Sequence, residues 1–586
     1  DQTPADPNDN PRQTYHYEDA GFPYALTGIT DERGQRTATY TYDALGRAIR
    51  SESAGGAGRV DLSYNPDGTT TVTTAIDTGL AQVQTYHFQT LNGLIRVQQI
   101  DGGPCASCGS GAASRSFDPV SGFLTQETDF NGNITQYQYD ARGLQTVRIE
   151  AVGAPEQRTT TTAWHPTWRL PTQIDAPGRR TTLSYDAATG NLLTQTVTDT
   201  ASQTQRTTTY TYDATTTQVA SIDGPRTDVA DVTVFSYAPT SGNLTSYTNA
   251  LGHTTQITSY DPQGRPLSQT DANGVITTHT YDPLGRRTRT TEGGETTTLT
   301  LDAAGLLTQQ QLPSGETTTY QYDAAQRLVA TRDAQNNQTT YTLNLDGQPV
   351  LTQTRDPGNT LTQTHSRVYD TLGRLFQETD GASQTTTYTY DLNGNRTGMT
   401  DANSHSMQDH FDALNRQNRS TDPDAHDTLY AYNTLNQLIS VTDAKGSQTS
   451  YTRNALSDVQ QVNSPDTGLT TAQFDAAGNR VQQTDARPLT ETRSYDALNR
   501  LTAITFPDPS ENISFSYDQG VNGRGRRTGM SDASGSTSWQ YSALGRLEQE
   551  TRTLDGIAYT TQYHYLPGGW LNSITTPSGR TVAYLR

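Results

Sequence analysis

The sequence has little of what builds an ordinary core. Of its 586 residues only 31% are hydrophobic, and Leu, Ile, Val and Phe together fall below the roughly one residue in five that usually marks a chain able to bury one. With two cysteines, Cys105 and Cys108, a four-thiolate zinc site within the chain is excluded. No run approaches the roughly 18 apolar residues of a membrane-spanning helix, so no membrane span is expected. Positive charge is scarce: lysine occurs once, at Lys445, the net charge is -20, and the isoelectric point is about 4.8. A nucleic-acid surface driven by counterion release is therefore not expected. There is no G-x-S-x-G elbow, no H-E-x-x-H helix and no Walker A loop, which removes the commonest hydrolase, zinc-protease and nucleotidase signatures. The opening residues "DQTPADPNDNPRQTYHYEDAG" carry neither an initiator Met nor a charged-then-apolar leader. The closing "PSGRTVAYLR" stops partway through a strand pattern, so the sequence reads as an internal piece of a longer chain.

What the sequence has is repetition. Its 32 tyrosines set it apart from disordered chains, which are poor in aromatics. Residues 265–285, "RPLSQTDANGVITTHTYDPLG", divide into a strand of about six residues, the turn Asp271 to Gly274, a strand of about seven, and the turn Asp282 to Gly285, a period of about 21. Equivalent positions fall at Tyr260, Tyr281, Leu301, Tyr322 and Leu343, and later at Tyr369, Tyr390, Phe411, Tyr432, Arg453, Phe474 and Tyr495. Each turn reads D-x-x-G, which suits a type I turn whose Asp bonds back to the turn backbone and whose last residue takes positive φ. The substitutions obey the same geometry. Pro262 and Pro283 take the second position, and Asn415, Asn436 and Asn499 replace the glycine. Between turns the residues alternate, as in "QTTTYTY" at 384–390, where Tyr388 and Tyr390 share a face. Stacked hairpins are expected to line such rings into ladders, each cross-strand pair contributing about 0.2–1 kcal/mol. The reading is all-β: a long antiparallel meander of hairpins that strand twist forces to coil. Residues 1–14 form an irregular lead. Residues 15–250 are looser repeats with insertions, including the cysteine-bearing loop 101–114, and 251–586 are regular repeats, apparently cut short at the end.

The turn phrase resembles that of the Rhs, or YD-repeat, proteins. The resemblance rests on "YDALGRAI", "YDPQGRPL", "YDPLGRRT", "YDTLGRLF", "YDALNRLT" and "YSALGRLE", and covers the chain from about residue 15 onward. The matching motif residues are Tyr42, Asp43, Gly46 and Arg47; Tyr260, Asp261, Gly264 and Arg265; Tyr281, Asp282, Gly285 and Arg286; Tyr369, Asp370, Gly373 and Arg374; and Tyr495, Asp496, Asn499 and Arg500. The resemblance implies a sheet wound as a spiral hollow shell, a cocoon, which in toxin members holds a C-terminal toxic polypeptide. It also implies export, with the bacterial cell surface as one destination, and partners such as plug domains or a secretion apparatus. The D-P-x-G-L segment near which such members cleave themselves is absent here, so self-cleavage carries over to no residue. The function this supports is a noncatalytic shell around a toxin or other cargo, with no cofactor; the alternative is an adhesion or glycan-binding repeat protein.

Other candidates have plainer readings. Cys105 and Cys108, in "GGPCASCGSG", are expected to form a disulfide or paired thiols tying a loop, with partial metal binding or redox chemistry as the sharper alternatives. His405, Asp409, His410, Asp422, Asp424 and His426 offer metal donors. Asp422 is also a turn aspartate, and His405 and His410 are five apart on a strand pattern, on opposite faces. No metal site is expected. The many aspartates could supply a carboxylate pair for glycoside hydrolysis, but their turn positions already account for them, and no enzymatic role is expected.

Overall fold

A computed structural model describes residues 12–74, 81–102 and 112–584. Cys105 and Cys108 lie outside the described residues, so their pairing is left as the sequence left it. The described chain is all-β: 51 strands, with two 3-10 turns at Ala54–Gly56 and Pro509–Glu511. They belong to one antiparallel sheet in which strands adjacent in sequence pair, from Thr14–His16 against Gly28–Thr30 to Leu571–Thr575 against Thr581–Ala583. No helix of the described residues is long and apolar enough to cross a membrane.

The local reason for the hairpins is visible in any regular repeat. Thr385–Tyr390 pairs with Leu375–Asp380 behind it and with Arg396–Thr400 ahead. β-branched and aromatic residues fill the pleat, and Asp-initiated turns close both ends. Register slips by one residue just before the motif tyrosine: Thr389 lies opposite Gly398, yet Tyr390 lies opposite Arg396. The same bulge precedes Tyr42, Tyr281, Tyr322, Tyr369 and Tyr495. A bulge at a fixed point in each hairpin adds local right-handed twist and re-aims the side chain beside it.

The shortage of core foreseen from composition is real. The buried hydrophobic residues are Ala57, Leu144, Ala151, Val275, Ala330 and Ala455, while the largest fully buried side chains are Asn344 and Asp31, both polar. Stability is carried by ladders and cross-strand pairs such as Thr196 with Thr207 (2.9 Å) and Thr379 with Thr385 (3.0 Å). By internal contacts the chain forms two compact units, each assembled from separate stretches of sequence. One comprises Asp1–Thr160, Leu299–Gln311 and Glu316–Tyr430; the other comprises Thr161–Thr298, Leu312–Gly315 and Ala431–Arg586.

Candidate functional site

The repeat turn accounts for every letter of its motif. In the turn Asp43 to Arg47, the Gly46 N–H donates to the Asp43 carbonyl (2.9 Å) and the Asp43 N–H donates to the Arg47 carbonyl (2.9 Å). The Asp43 carboxylate accepts from the Leu45 and Arg47 N–H groups and from the Arg47 guanidinium. Asp261, Asp370 and Asp496 repeat the whole pattern. The Arg47 N–H first, then the Arg47 guanidinium, hold the Asp43 carboxyl below its ordinary value. At Asp282 burial pushes the carboxyl up, but the Arg286 N–H and guanidinium outweigh it and the net direction is again down. The expected positive φ is present at Gly46, Gly264, Gly285 and Gly373, and at Asn415, Asn436 and Asn499.

The motif tyrosines are held differently from the expected ladder of ring on ring. Each sends its hydroxyl back to a main-chain carbonyl at, or for Tyr42 two residues before, the start of an earlier strand: Tyr42 to Leu26 (2.7 Å), Tyr260 to Leu244 (2.5 Å), Tyr281 to Pro266 (3.0 Å), Tyr390 to Leu375 (2.8 Å) and Tyr495 to Arg480 (3.0 Å). The face of the ring is then covered by the motif arginine of the preceding turn. Arg47 lies over Tyr64 at 4.1 Å, Arg265 over Tyr281 at 4.7 Å, Arg374 over Tyr390 at 4.5 Å and Arg500 over Tyr517 at 4.3 Å. Each arginine therefore joins its own turn to the next hairpin. Gly285 is required twice over: its φ is +83°, and a Cβ there would lie 2.0 Å from the Arg265 guanidinium. Replacing Tyr281 by Phe should cost about 0.5–1.5 kcal/mol, since it leaves the Pro266 carbonyl without its donor while keeping the ring. Faster hydrogen exchange confined to the strands at 266–270 and 276–281 would confirm it, and unchanged exchange there would count against the hydroxyl.

Arg453, aligned with the tyrosines, takes over their bond, its Nε donating to the Leu438 carbonyl at 2.9 Å. Two asparagine pairs complete the pattern. Asn395 and Asn479 stand at the arginine position, and each donates to the asparagine that replaces the next glycine, Asn415 (2.8 Å) and Asn499 (2.7 Å). On the tyrosine face, Tyr388 donates to Glu378 at 2.7 Å. Burial and then that carboxylate push its hydroxyl up to about 12.

A second set of contacts joins turns 249 to 295 residues apart in sequence. In the first unit, Gln326 donates to Asp31 (3.0 Å) and the Gly58 N–H to the Leu345 carbonyl (2.6 Å). Two turns of identical D-x-N-G-N form, 129–133 and 391–395, meet head to head there. Asn131 donates to Asp391 (3.0 Å), Asn393 donates to Asp129 (2.8 Å), and the Asn131 N–H donates to the Asn393 amide oxygen (3.2 Å). In the second unit, Arg206 grips both oxygens of Asp458 at 2.8 Å, Asp199 accepts the Ala455 N–H at 2.7 Å, Glu295 meets Arg546 at 2.6 Å, and Asn273 bonds the Arg524 main chain. Arg226, its side chain 3% exposed, donates to the Asp496 carbonyl at 2.5 Å and pairs with Asp228 and Asp475. These clasps were not foreseen from the sequence.

The suspected metal donors fall into the turn scheme. His405 and His426 occupy the arginine position and pair with their turn aspartates, Asp401 at 3.1 Å and Asp422 at 3.3 Å. The donor atoms of Asp422, Asp424 and His426 lie within 4.8 Å of one another, and all three residues are exposed. Asp409 instead accepts from Gln417 and Ser420, and His410 contacts Arg419.

The repeated turn, with its bulge and its aromatic hydroxyl tie, defines a hairpin-repeat protein in which the conserved-looking letters are structural. Five stretches of these repeats are RHS repeats. The RHS repeat model matches five stretches, 260–297, 302–338, 369–406, 432–469 and 474–511, each spanning two of the hairpins described above. None of the curated proteins compared matches the chain. Among solved structures, the TcdB2-TccC3 crystal structure is similar at 16% identity and a TM-score of 0.51, over 97% of this chain and 37% of that one. A TcdB2-TccC3-Cdc42 crystal structure shows 15% identity at a TM-score of 0.47 over 97% of this chain and 39% of that one. A Photorhabdus luminescens Tc holotoxin pore with a mutated TccC3 shows 14% at 0.47 over 97% and 32%. The chain thus spans 32–39% of the length of these structures, and the first likeness establishes a shared fold.

Proposed function

We propose that this chain is a noncatalytic wall segment of an RHS-type exported protein, enclosing a C-terminal toxin or other cargo polypeptide in a larger assembly with plug or secretion components. The single observation that carries the reading is the complete structural use of the repeat. The motif aspartates close turns, the tyrosine hydroxyls described above tie hairpins, and motif arginines link one hairpin to the next. That is the economy of a wall. The RHS repeats and the fold shared with TcdB2-TccC3 support the same reading. The function is confinement: a polypeptide behind such a sheet is kept from proteases, from host targets and from aggregation.

The test uses the native gene continued past Arg586. The product is purified, treated with a broad protease, and its intact masses are recorded before and after. A downstream fragment that stays bound and protected while the repeats survive is the expected result. A fragment digested at once, with the repeats intact, would end the container reading in favour of adhesion.

A further inference from the structure

Asn-Gly is the dipeptide in which the following backbone nitrogen most readily attacks the side-chain amide, because glycine puts no Cβ in the way. The sequence holds five: Asn92-Gly93, Asn131-Gly132, Asn273-Gly274, Asn393-Gly394 and Asn522-Gly523. The structure treats them unequally. At 131, 273 and 393 the attacking nitrogen is already committed. The Gly132, Gly274 and Gly394 N–H groups donate to the carbonyls of Asp129 (3.0 Å), Asp271 (3.0 Å) and Asp391 (3.2 Å), closing their turns. The side-chain amide is committed as well, and in each case to the other turn of a clasp. Asn131 donates to Asp391, Asn393 to Asp129, and Asn273 to the Arg524 carbonyl at 3.0 Å.

At the other two the side-chain amide is also committed, Asn92 to the Val120 carbonyl (2.8 Å) and Asn522 to the Tyr541 carbonyl (3.1 Å), and the difference lies in the glycine nitrogen. Asn92 and Gly93 form a two-residue hairpin loop with φ of 52° and 75° between the paired Leu91 and Leu94. In such a loop the glycine N–H does not close the turn. The Gly523 N–H reaches the Gly520 carbonyl only at 3.4 Å.

We propose that Asn131, Asn273 and Asn393 are self-modification sites gated by the clasps, inert while the turns are docked and reactive once they part. The reaction needs only solvent water. The glycine nitrogen loses its proton and bonds to the asparagine Cγ. The bond to the side-chain nitrogen breaks, and ammonia departs with that proton, leaving a succinimide. Water adds to one of its two carbonyls and breaks one ring C–N bond, giving aspartate or isoaspartate.

The product differs in its effect between the two units. At the 131/393 clasp an amide N–H that donated to a carboxylate becomes a carboxylate facing that carboxylate, Asp391 or Asp129. Attraction becomes repulsion and the clasp does not re-form. At the Asn273 clasp the new carboxylate can still accept the Arg524 N–H (3.0 Å), and the Arg524 guanidinium, bonded to the Ala272 carbonyl at 2.8 Å, is a nearby cation. That clasp loses one bond and keeps two. Opening of the first unit is thus recorded covalently and made one-way, and opening of the second is recorded without being fixed.

The test is peptide-mass mapping of the full chain held in mildly alkaline buffer made with oxygen-18 water, folded and in urea. In the folded protein Asn92 should react first and Asn522 next. Asn131, Asn273 and Asn393 should react about tenfold or more slowly than Asn92, because gating by even a modest opening free energy gives that factor. In urea all five should converge. Asn131 or Asn393 reacting as fast as Asn92 in the folded chain would overturn the gating. The one-way consequence is read separately. Asn393→Asp, checked for retained β-sheet circular dichroism, should raise the Asn131 rate toward its urea value, whereas Asn273→Asp should leave it unchanged. An Asn131 rate unmoved by Asn393→Asp would sink the latch.

Discussion

Arg226→Ala is expected to weaken the second unit by about 2–4 kcal/mol, the largest single-residue effect in the chain. The guanidinium is almost wholly buried and supplies donors to the Asp496 carbonyl and to Asp228. It also sits 3.7 Å from Asp475, which is itself only 12% exposed. Removing it takes one of two donors from the Asp496 carbonyl, which keeps the Asn499 N–H at 3.0 Å, and leaves the Asp475 carboxylate without its cation. The share from Asp228 is small, because that side chain is 59% exposed and returns to water. Arg226→Lys should fall between the two, since an ammonium keeps the charge but cannot present the planar fork. In a repeat protein a single global stability is ill-defined, so the readout is local: hydrogen exchange at 223–232 and 490–505 should quicken first. Loss of protection spread evenly over both units, or none at all, would count against the assignment.

The second large effect is collective and follows acid. Asp43, Asp261, Asp282, Asp401, Asp422 and Asp485 all hold their protons less tightly than a free carboxyl. So do Asp199, which accepts the Ala455 N–H, and Glu295, where the Arg546 guanidinium is the foremost cause. With folded values below unfolded ones, the unfolded chain binds more protons as pH falls, so stability declines toward acid. The contribution is fully present above the ordinary carboxyl range near pH 4 and is lost as pH drops through the folded values. Sheet circular dichroism should therefore hold through the mildly acidic range and collapse only below about pH 4. Exchanging several turn aspartates for asparagine should move the collapse to lower pH, because asparagine keeps the turn's acceptor without titrating, as Asn249 and Asn433 already do. Collapse between pH 5 and pH 6 would point to histidines instead.

What could be read from the sequence was whatever recurs at short range. The aspartate-led turn, the glycine with positive φ and its asparagine substitutes are dictated within five residues, so the pattern alone exposes them. The role of Arg265 over Tyr281 spans 16 residues, inside one period, and was within reach of the same logic. The ring ladder was not, because alternation along a strand gives the face a ring occupies but not what lies on it. Here an arginine arrives from the preceding turn and takes that place.

The clasps were hidden for a different reason. Arg226 meets Asp496 across 270 residues, and a period of 21 says nothing about which repeat comes to lie beside which. Two traces existed all the same. Arg226 sits in "DGPRTDVAD", a stretch that interrupts the period, and the phrase D-x-N-G-N occurs at both 129–133 and 391–395. Histidine stands at the arginine position of two turns, 401–405 and 422–426, which is why metal-donor residue types gather in that stretch of sequence.

The clasps also set a rule for how such a chain can change length. Nearly all other bonds are made between adjacent hairpins, so a hairpin gained or lost would disturb only its neighbours, and repeats could be shuffled freely. Partners such as Arg206 and Asp458, or Glu295 and Arg546, however, are separated by 252 and 251 residues. One extra hairpin between them would offset the pairing by a whole tooth. The docked turns therefore act as a ruler on the evolution of the gene. Inserted repeats between clasp partners should survive only where the facing side chains happen to match one step along, and elsewhere the count of hairpins is held fixed by contacts that no single hairpin contains.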